Sequence, residues 1–398
     1  MELKTLNNID VKNKLVLLRI DINSPVAEKK IIDNPRLDAS AVTIRELLKK
    51  SARLVIIAHQ GRPDTPDFVP LDQHAKLLSN SAKNKIGYID DLFGNKAIKA
   101  IKALKPKNAI LLKNVREYKD ELAPRSRSNK YKKFCQQFDI FVNDAFSVSH
   151  RAQGSIIIPP KYLKSSIGRQ FEKEILVLKD LMHANSKEKI FLLGGTKIED
   201  YLPFFKLLKN QKNKILASGI LANLLLIAQG HDLGYEETWL QQNGYLKLLP
   251  KLKKIYKKYH KQVILPIDFG LITNTEERKD VSLEESPYPY KIFDVGPMTV
   301  KLFKKYLASV NYILMKGPLG FSEIPAFDKS TSEILKFIST LQNKKIFTIL
   351  SGGHLVTTAK KYKILHKFSH YSLSGGAIIT YISSAKLPGI EALKHSPH

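Results

Sequence analysis

Arginines and hydrogen-bonding side chains in this chain sit directly after short apolar runs. Arg19-Ile-Asp-Ile-Asn23, His59-Gln-Gly-Arg62, Asn114-Val-Arg116 and Asn143-Asp-Ala-Phe-Ser-Val-Ser-His-Arg151 each follow such a run, and Arg36 stands just ahead of a helical pattern. Guanidinium groups converging with His59 suit a small, multiply charged anion, because each can grip phosphate or carboxylate with a two-pronged fork. Asp21 and Asn23 alternate along an extended segment, so both face one side and are placed to hold a substrate hydroxyl. Each arginine taken singly reads as a surface ion pair. Their repetition at successive run ends argues for one shared anion site.

Glycine marks a second set of run ends. These are Gly194-Gly-Thr-Lys197, Ser218-Gly219, Asp294-Val-Gly-Pro297, Lys316-Gly-Pro-Leu-Gly320, Ser351-Gly-Gly353 and Ser374-Gly-Gly376. Several lead straight into a helical pattern, where bare backbone N–H groups attract anions and glycine lets a phosphate approach closely. Tight turns need glycine too, so one Gly-Gly pair carries little. The repetition points to a nucleotide. The sequence has no GxxxxGK[ST] loop, so the phosphate cradle is of another kind.

The elements that must position these residues alternate along the chain. Strands are expected over Leu15–Ile20, Leu54–Ala58, Ala109–Leu112 and Ile140–Val142, then over Ile190–Leu193, Ile215–Ala217, Val263–Ile267, Ile292–Val295, Tyr312–Met315, Ile346–Leu350 and Phe368–Leu373. Most are continuous Val, Ile and Leu runs, as strands buried on both faces require. Between them lie helix-period segments such as Leu37–Lys50, with Leu37, Ala41, Ile44 and Leu48 on one stripe. Alternating strands and helices predict α/β domains with parallel sheets flanked by helices. Arg169–Met182 reads as one amphipathic helix with Phe171, Ile175, Leu178 and Met182 on a stripe, so the domain boundary falls near residue 170.

Composition narrows the function classes. The chain has 398 residues, 43% hydrophobic and 26% charged, which is globular rather than disordered and long enough for two cores. Its single cysteine, Cys135, excludes a disulfide framework and multi-cysteine metal sites. The opening residues lack an apolar signal core, and the least polar stretch, Ile215–Ala228, is too short and too interrupted to span a bilayer. A soluble cytoplasmic protein without a membrane partner is expected. The net charge of +28 calls for anionic partners; of two basic tracts, 251–261 puts Leu252, Ile255, Tyr256 and Tyr259 on one helical face and its lysines on the other, and 124–133 is a candidate for RNA phosphates. No base-reading module accompanies them, so the solvated-face reading is preferred and a nucleic-acid partner is not expected.

These residues resemble the phosphoglycerate kinase family along nearly the whole chain. Arg19-Ile-Asp-Ile-Asn-Ser-Pro25 is similar to the family's RVDFNVP, His59-Gln-Gly-Arg-Pro63 to HLGRP, and Asn143-Asp-Ala-Phe146 with His150-Arg151 to NDAFGTAHRA. Gly194-Gly-Thr-Lys197 resembles GGAKV, Asp294-Val-Gly-Pro297 resembles DIGP, and Gly317-Pro-Leu-Gly-Phe-Ser-Glu323 resembles NGPMGVFE. The resemblance implies two Rossmann-like α/β domains joined by an interdomain helix and hinge. In this chain that means 1–168 for the 3-phosphoglycerate domain, 169–185 for the helix, 186–380 for the nucleotide domain, and 381–398 returning to the first domain. It implies a monomer that closes to transfer a phosphoryl group reversibly between ATP and 3-phosphoglycerate, giving ADP and 1,3-bisphosphoglycerate.

Carried over by position, Asp21, Asn23, Arg36, His59, Arg62, Arg116 and Arg151 bind 3-phosphoglycerate, and Arg36 and Lys197 act on the transferring group. Gly195, Lys197, Tyr201, Gly219, Lys316, Glu323, Ser351, Gly352, Gly353 and His354 fall on the nucleotide side. That side departs from the family pattern. Tyr201 stands where a second phosphate-binding lysine is expected, Lys316 replaces the asparagine of NGP, and His354 replaces the aspartate that ligates magnesium. Other glycine loops differ too, as Ser218-Gly-Ile-Leu-Ala222 and Ser372-Leu-Ser-Gly-Gly-Ala377. Magnesium is expected with ATP or ADP, but no residue is assigned as its ligand. Two readings follow: a working kinase with a rewired nucleotide site, or a catalytically impaired protein that keeps the phosphoglycerate pocket. A basic nucleic-acid-binding protein on the same scaffold is a third.

Overall fold

The computed structural model describes residues 3–32, 35–126, 128–184, 186–341, 346–384 and 386–397. Arg127 of the basic tract and Asn185 at the end of the expected interdomain segment lie outside the described residues. The chain divides into two compact units, residues 1–179 with 376–398, and residues 180–375.

Unit one is built on a six-stranded sheet. In spatial order the strands are Ile86–Ile89, Ala109–Leu112, Arg53–Ile57, Leu15–Arg19, Ile140–Asn143 and Lys164–Ile167, every pairing parallel. Leu15–Arg19 is buried at every residue, as its unbroken apolar run requires. The chain builds the sheet outward from this strand on one side and then crosses to Ile140–Asn143 on the other. Such a crossing opens a crevice beyond the carboxyl ends of the strands, where ligands bind in open α/β sheets. The helix expected over Leu37–Lys50 spans Pro35–Lys49, and Leu37, Ala41, Ile44 and Leu48 are all buried. Proline opens it because the first helical N–H has no intrahelical partner to lose.

The last residues of the chain belong to this unit. The helix Pro388–Lys394 packs on the short helices Gly154–Ile157 and Pro159–Tyr162, and Gly389 N–H donates to the Ser149 carbonyl at 2.9 Å. Leu387, Ile390 and Leu393 are buried there.

Unit two holds another six-stranded parallel sheet, ordered Val263–Ile264, Lys214–Ala217, Lys189–Leu193, Tyr312–Lys316, Phe347–Ser351 and His370–Ser372. Numbered along the chain this is the order 3-2-1-4-5-6 of nucleotide-binding open sheets, with the switch between Lys189–Leu193 and Tyr312–Lys316. A separate three-stranded antiparallel sheet carries Arg278–Ser282, Asp268–Ile272 and Lys291–Val295. Ile292–Val295, expected among the parallel strands, lies in that second sheet. Val263–Ile267 stops at Ile264, just short of Pro266, which has no N–H to give a ladder. Ile86–Ile89, Lys164–Ile167, Asp268–Ile272 and Arg278–Ser282 are strands with no clear apolar run, interrupted by Gly87, paired serines or charges. The basic tract forms the helix Leu249–Tyr259, with Leu252 buried and its lysines exposed. No helix among the described residues is long and apolar enough to cross a membrane.

Candidate functional site

In unit one the arginine-bearing strand ends are neighbours in the sheet, and Asp21 is the node that ties them together. Arg36 forms an ion pair with the Asp21 carboxylate, and the Ser147 hydroxyl donates to the same carboxylate oxygen. The Asn23 backbone N–H donates to the other oxygen at 3.1 Å. Burial alone would raise the pKa of this carboxyl. Arg36 and the hydrogen bonds outweigh burial and hold it far below the usual carboxylate range. Asp21 is therefore an anion that aims a guanidinium, as a built site needs.

The remaining members interlock. Asn23 Oδ1 accepts the Gly61 N–H at 2.8 Å, and the Arg116 guanidinium donates to the Gly61 carbonyl. Asn114 caps the turn that carries Arg116, accepting its backbone N–H at 3.1 Å. Asn114 also donates to the Gln60 carbonyl at 2.8 Å. Burial, then the nearby charges of Arg19 and Arg151, lowers Arg116 to about 10. Arg151 is lowered by burial and by Arg62, with Asp21 opposing. Cations that depress one another are underneutralised, and a phosphorylated acid would supply the missing negative charge. Asp21, Asn23, Arg36, His59, Arg62, Arg116 and Arg151 thus come together in one unit.

Two supports in this cluster have no counterpart in the sequence reading. Ser147 lies inside a quoted motif yet bonds Asp21 across 126 positions of chain. Gln60 is fully buried; its amide pairs with Ser24 N–H at 2.8 Å, Ser24 carbonyl at 3.0 Å and Asp67 carbonyl at 2.9 Å. A polar residue between His59 and Arg62, within a run end rather than on a helix face, was the available signal.

In unit two the candidate nucleotide loops meet at the switch point. Lys316 ends its strand in register with Leu193 on one side and Ser351 on the other. Its side chain is 8% exposed and its ammonium lies 3.9 Å from Asp200. Burial pushes the ammonium below its usual range, Asp200 partly restores it, and Lys197 adds to the depression. Lys197 itself is exposed. The Ser351 hydroxyl is fully buried and has no hydrogen-bond partner among the described residues. A buried cation with a distant counter-charge and an orphaned hydroxyl side by side want an anionic acceptor.

Close contact requires glycine at position 219. Gly219 has φ +56° and opens the helix Gly219–Gln229; a Cβ there would lie 2.8 Å from the Gly195 nitrogen. Gly195 itself sits at φ +86°, and nothing lies within 4 Å of where a Cβ on Gly352 or Gly353 would be. The Gly352–Gly353 loop is open to an approaching phosphate. Tyr201 is buried, and its hydroxyl donates to the Gly194 carbonyl, so it braces the loop from below. His354 Nδ1 lies 2.8 Å from Glu323 Oε1, and both side chains are largely exposed.

The described residues form no ready-made magnesium cage. Magnesium asks for hard oxygen donors in octahedral array. The Ser351–His354 loop offers an imidazole already engaged with Glu323, and the adjacent strand end offers an ammonium. Among the described residues no group of three or more His, Cys, Asp or Glu is arranged to hold a metal ion.

Comparison with known proteins finds one family. The family model described as phosphoglycerate kinase matches residues 6–385. The phosphoglycerate kinase of Methanopyrus kandleri is 35% identical over 403 residues, covering 99% of this chain and 98% of that protein. That of Archaeoglobus fulgidus is 35% identical over 400 residues, covering 98% and 96%. The crystal structure of phosphoglycerate kinase from Pyrococcus horikoshii OT3 superposes with a TM-score of 0.90 at 30% identity, covering 98% of each chain.

Proposed function

The chain belongs to the phosphoglycerate kinase family, and we propose that it transfers a phosphoryl group reversibly between ATP and 3-phosphoglycerate. The observation that carries this reading is the acceptor cluster, in which Arg36 is anchored on Asp21 and flanked by His59, Arg62, Arg116 and Arg151. A carboxylate oxygen of 3-phosphoglycerate attacks the γ-phosphorus of ATP. The new O–P bond makes the acyl phosphate, and the bond to the β,γ-bridging oxygen breaks with its electron pair leaving on ADP. No proton has to move, so positioning and charge stabilisation are the catalyst's main tasks.

In this reading Asp21 and Asn23 hold the acceptor's hydroxyl, while His59, Arg62, Arg116 and Arg151 hold its phosphate and carboxylate. Arg36 meets the charge that builds on the transferring group. The nucleotide lies along Gly195, Gly219 and Ser351–Gly353, with Glu323 and His354 at the rim. Lys197 and Lys316 face its phosphates. Tyr201 supports the loop instead of contacting phosphate, since its hydroxyl is engaged by Gly194. Lys316 supplies the positive charge that a lysine at 201 would have given. The family works on ATP with magnesium, and here we assign any magnesium to the nucleotide's own phosphates.

Calorimetric titration with 3-phosphoglycerate and, separately, with ADP tests the assignment. Both ligands are expected to bind the wild-type protein. Failure to bind 3-phosphoglycerate would remove the reading altogether, whereas binding without turnover would leave the impaired-kinase alternative.

A further inference from the structure

Beneath the acceptor cluster lies a guanidinium that the chemistry above does not use. Arg19 ends the strand Leu15–Arg19 and is 0% exposed. Its Nε donates to Ser155 Oγ at 2.9 Å, one terminal nitrogen donates to the Ile20 carbonyl, and the other lies 3.1 Å from His59 Nδ1. Ser155 is itself fixed by Glu121, also 0% exposed, which accepts its hydroxyl and its backbone N–H, each at 2.8 Å. All three guanidinium nitrogens are therefore committed in one plane.

Arginine has donors and no acceptor. His59 Nδ1 must then be the accepting nitrogen, and the proton of the neutral ring sits on Nε2. The contact with Arg19 is the ring's one hydrogen bond among the described residues. We propose that Arg19 is a positioning residue that locks His59 as the neutral Nε2–H tautomer, so that His59 gives 3-phosphoglycerate a directed N–H donor and not a diffuse positive charge. This rests on the acceptor-site reading above. The charged groups that face His59 are Asp21, Arg19, Arg116 and Arg36. Burial pushes the ring well below its usual range, and the three guanidiniums reinforce this against Asp21. The cluster already holds ample positive charge. What a fixed neutral donor adds is direction, and a grip that does not weaken as pH rises through the ordinary histidine range.

The test is a long-range ¹H–¹⁵N spectrum of the full chain with ¹⁵N-labelled histidine, recorded without ligand from pH 6 to 8, with His59→Gln used only to assign the signal. A bare Nδ1 and a protonated Nε2, unchanged across that range, are expected. An imidazolium, or a proton on Nδ1, at pH 7 would overturn the proposal. Arg19→Lys keeps the charge but cannot hold Ser155, Ile20 and His59 in one plane. Once its fold is checked by thermal melting, His59 should become a tautomer mixture or titrate, and affinity for 3-phosphoglycerate should fall about tenfold. It should also gain a pH dependence that wild type lacks. The ligand's own phosphate titration is common to both proteins, so the difference between the profiles is what is read. A wild-type His59 spectrum in Arg19→Lys would also overturn the proposal; if that variant does not fold, the wild-type spectrum decides. Wild type that fails to bind 3-phosphoglycerate would remove the acceptor-site reading while leaving the tautomer result standing.

Discussion

Arg151 and Asp144 sit seven positions apart and answer to opposite physics. Arg151 faces Arg62 in a cation-rich cluster, and a charge-assisted contact to a bound acid is worth about 1.5–3 kcal/mol. Arg151→Ala is therefore expected to weaken 3-phosphoglycerate binding by roughly ten- to a hundredfold, read by calorimetry, with ADP binding unaltered. Asp144 is buried at the start of the helix Arg169–His183, where its Oδ1 accepts the Phe171 N–H at 2.9 Å. Burial lifts it to about 7 against these hydrogen bonds and Arg169. The folded state holds this proton more tightly than the unfolded chain, whose carboxyl titrates near 4. Stability must then fall as pH rises from about 4 to about 7. Denaturant melts at pH 5 and pH 8 should show Asp144→Asn losing less stability over that interval than wild type. Arg62, Arg116 and Arg151 stood out in the sequence because they follow apolar runs, and Arg36 because it opens a helical pattern. The sequence did not disclose Ser147, Gln60 or the buried Arg19–Glu121 link, whose partners lie tens of positions away and leave no local pattern.

At the scale of elements, the two sheets explain why the chemistry-bearing run ends converge. Strands rich in Val, Ile and Leu were legible because burial on both faces leaves no room for polar alternation. Lys164–Ile167 was not, since Ser165 and Ser166 are buried yet carry no apolar signal. The antiparallel sheet was missed for a related reason: Arg278–Ser282 buries only Val281, and the ion pairs of Arg278 with Asp280 and Asp294 replace apolar packing. In the sequence the loop glycines showed only as repetition, whereas the structure gives a backbone reason at particular positions, Gly219 among them. Gly219→Ala would put a methyl group against Gly195 at a positive φ. The expected cost is about 1–3 kcal/mol of unit-two stability, together with weaker ADP binding. Thermal melting and calorimetry check both, and an unchanged ADP affinity in a folded variant would remove Gly219 from the nucleotide site.

At the scale of the whole molecule, the first unit is closed by residues from the far end of the chain, so its stability depends on them. Deleting 387–397 removes Leu387, Ile390 and Leu393 from a buried position. At about 1.5–3 kcal/mol for each fully buried side chain, the loss is several kcal/mol. Scanning calorimetry should show the unit-one transition moving down while that of residues 180–375 stays in place. The proposed transfer makes the complementary demand that residues of both units act in one reaction. Steady-state phosphoryl transfer from ATP to 3-phosphoglycerate, at fixed ionic strength and several magnesium concentrations, tests this on wild type, Arg36→Ala and Lys316→Asn together. Removing one transition-state donor typically lowers the rate by about 10²–10³. The prediction is measurable turnover by wild type and a kcat lower by about 10² or more in each variant. Arg36→Ala should keep its ADP affinity, and Lys316→Asn should keep its affinity for 3-phosphoglycerate. A wild-type protein that binds both ligands without transferring phosphate, or a Lys316→Asn protein with unchanged kcat, would contradict the account.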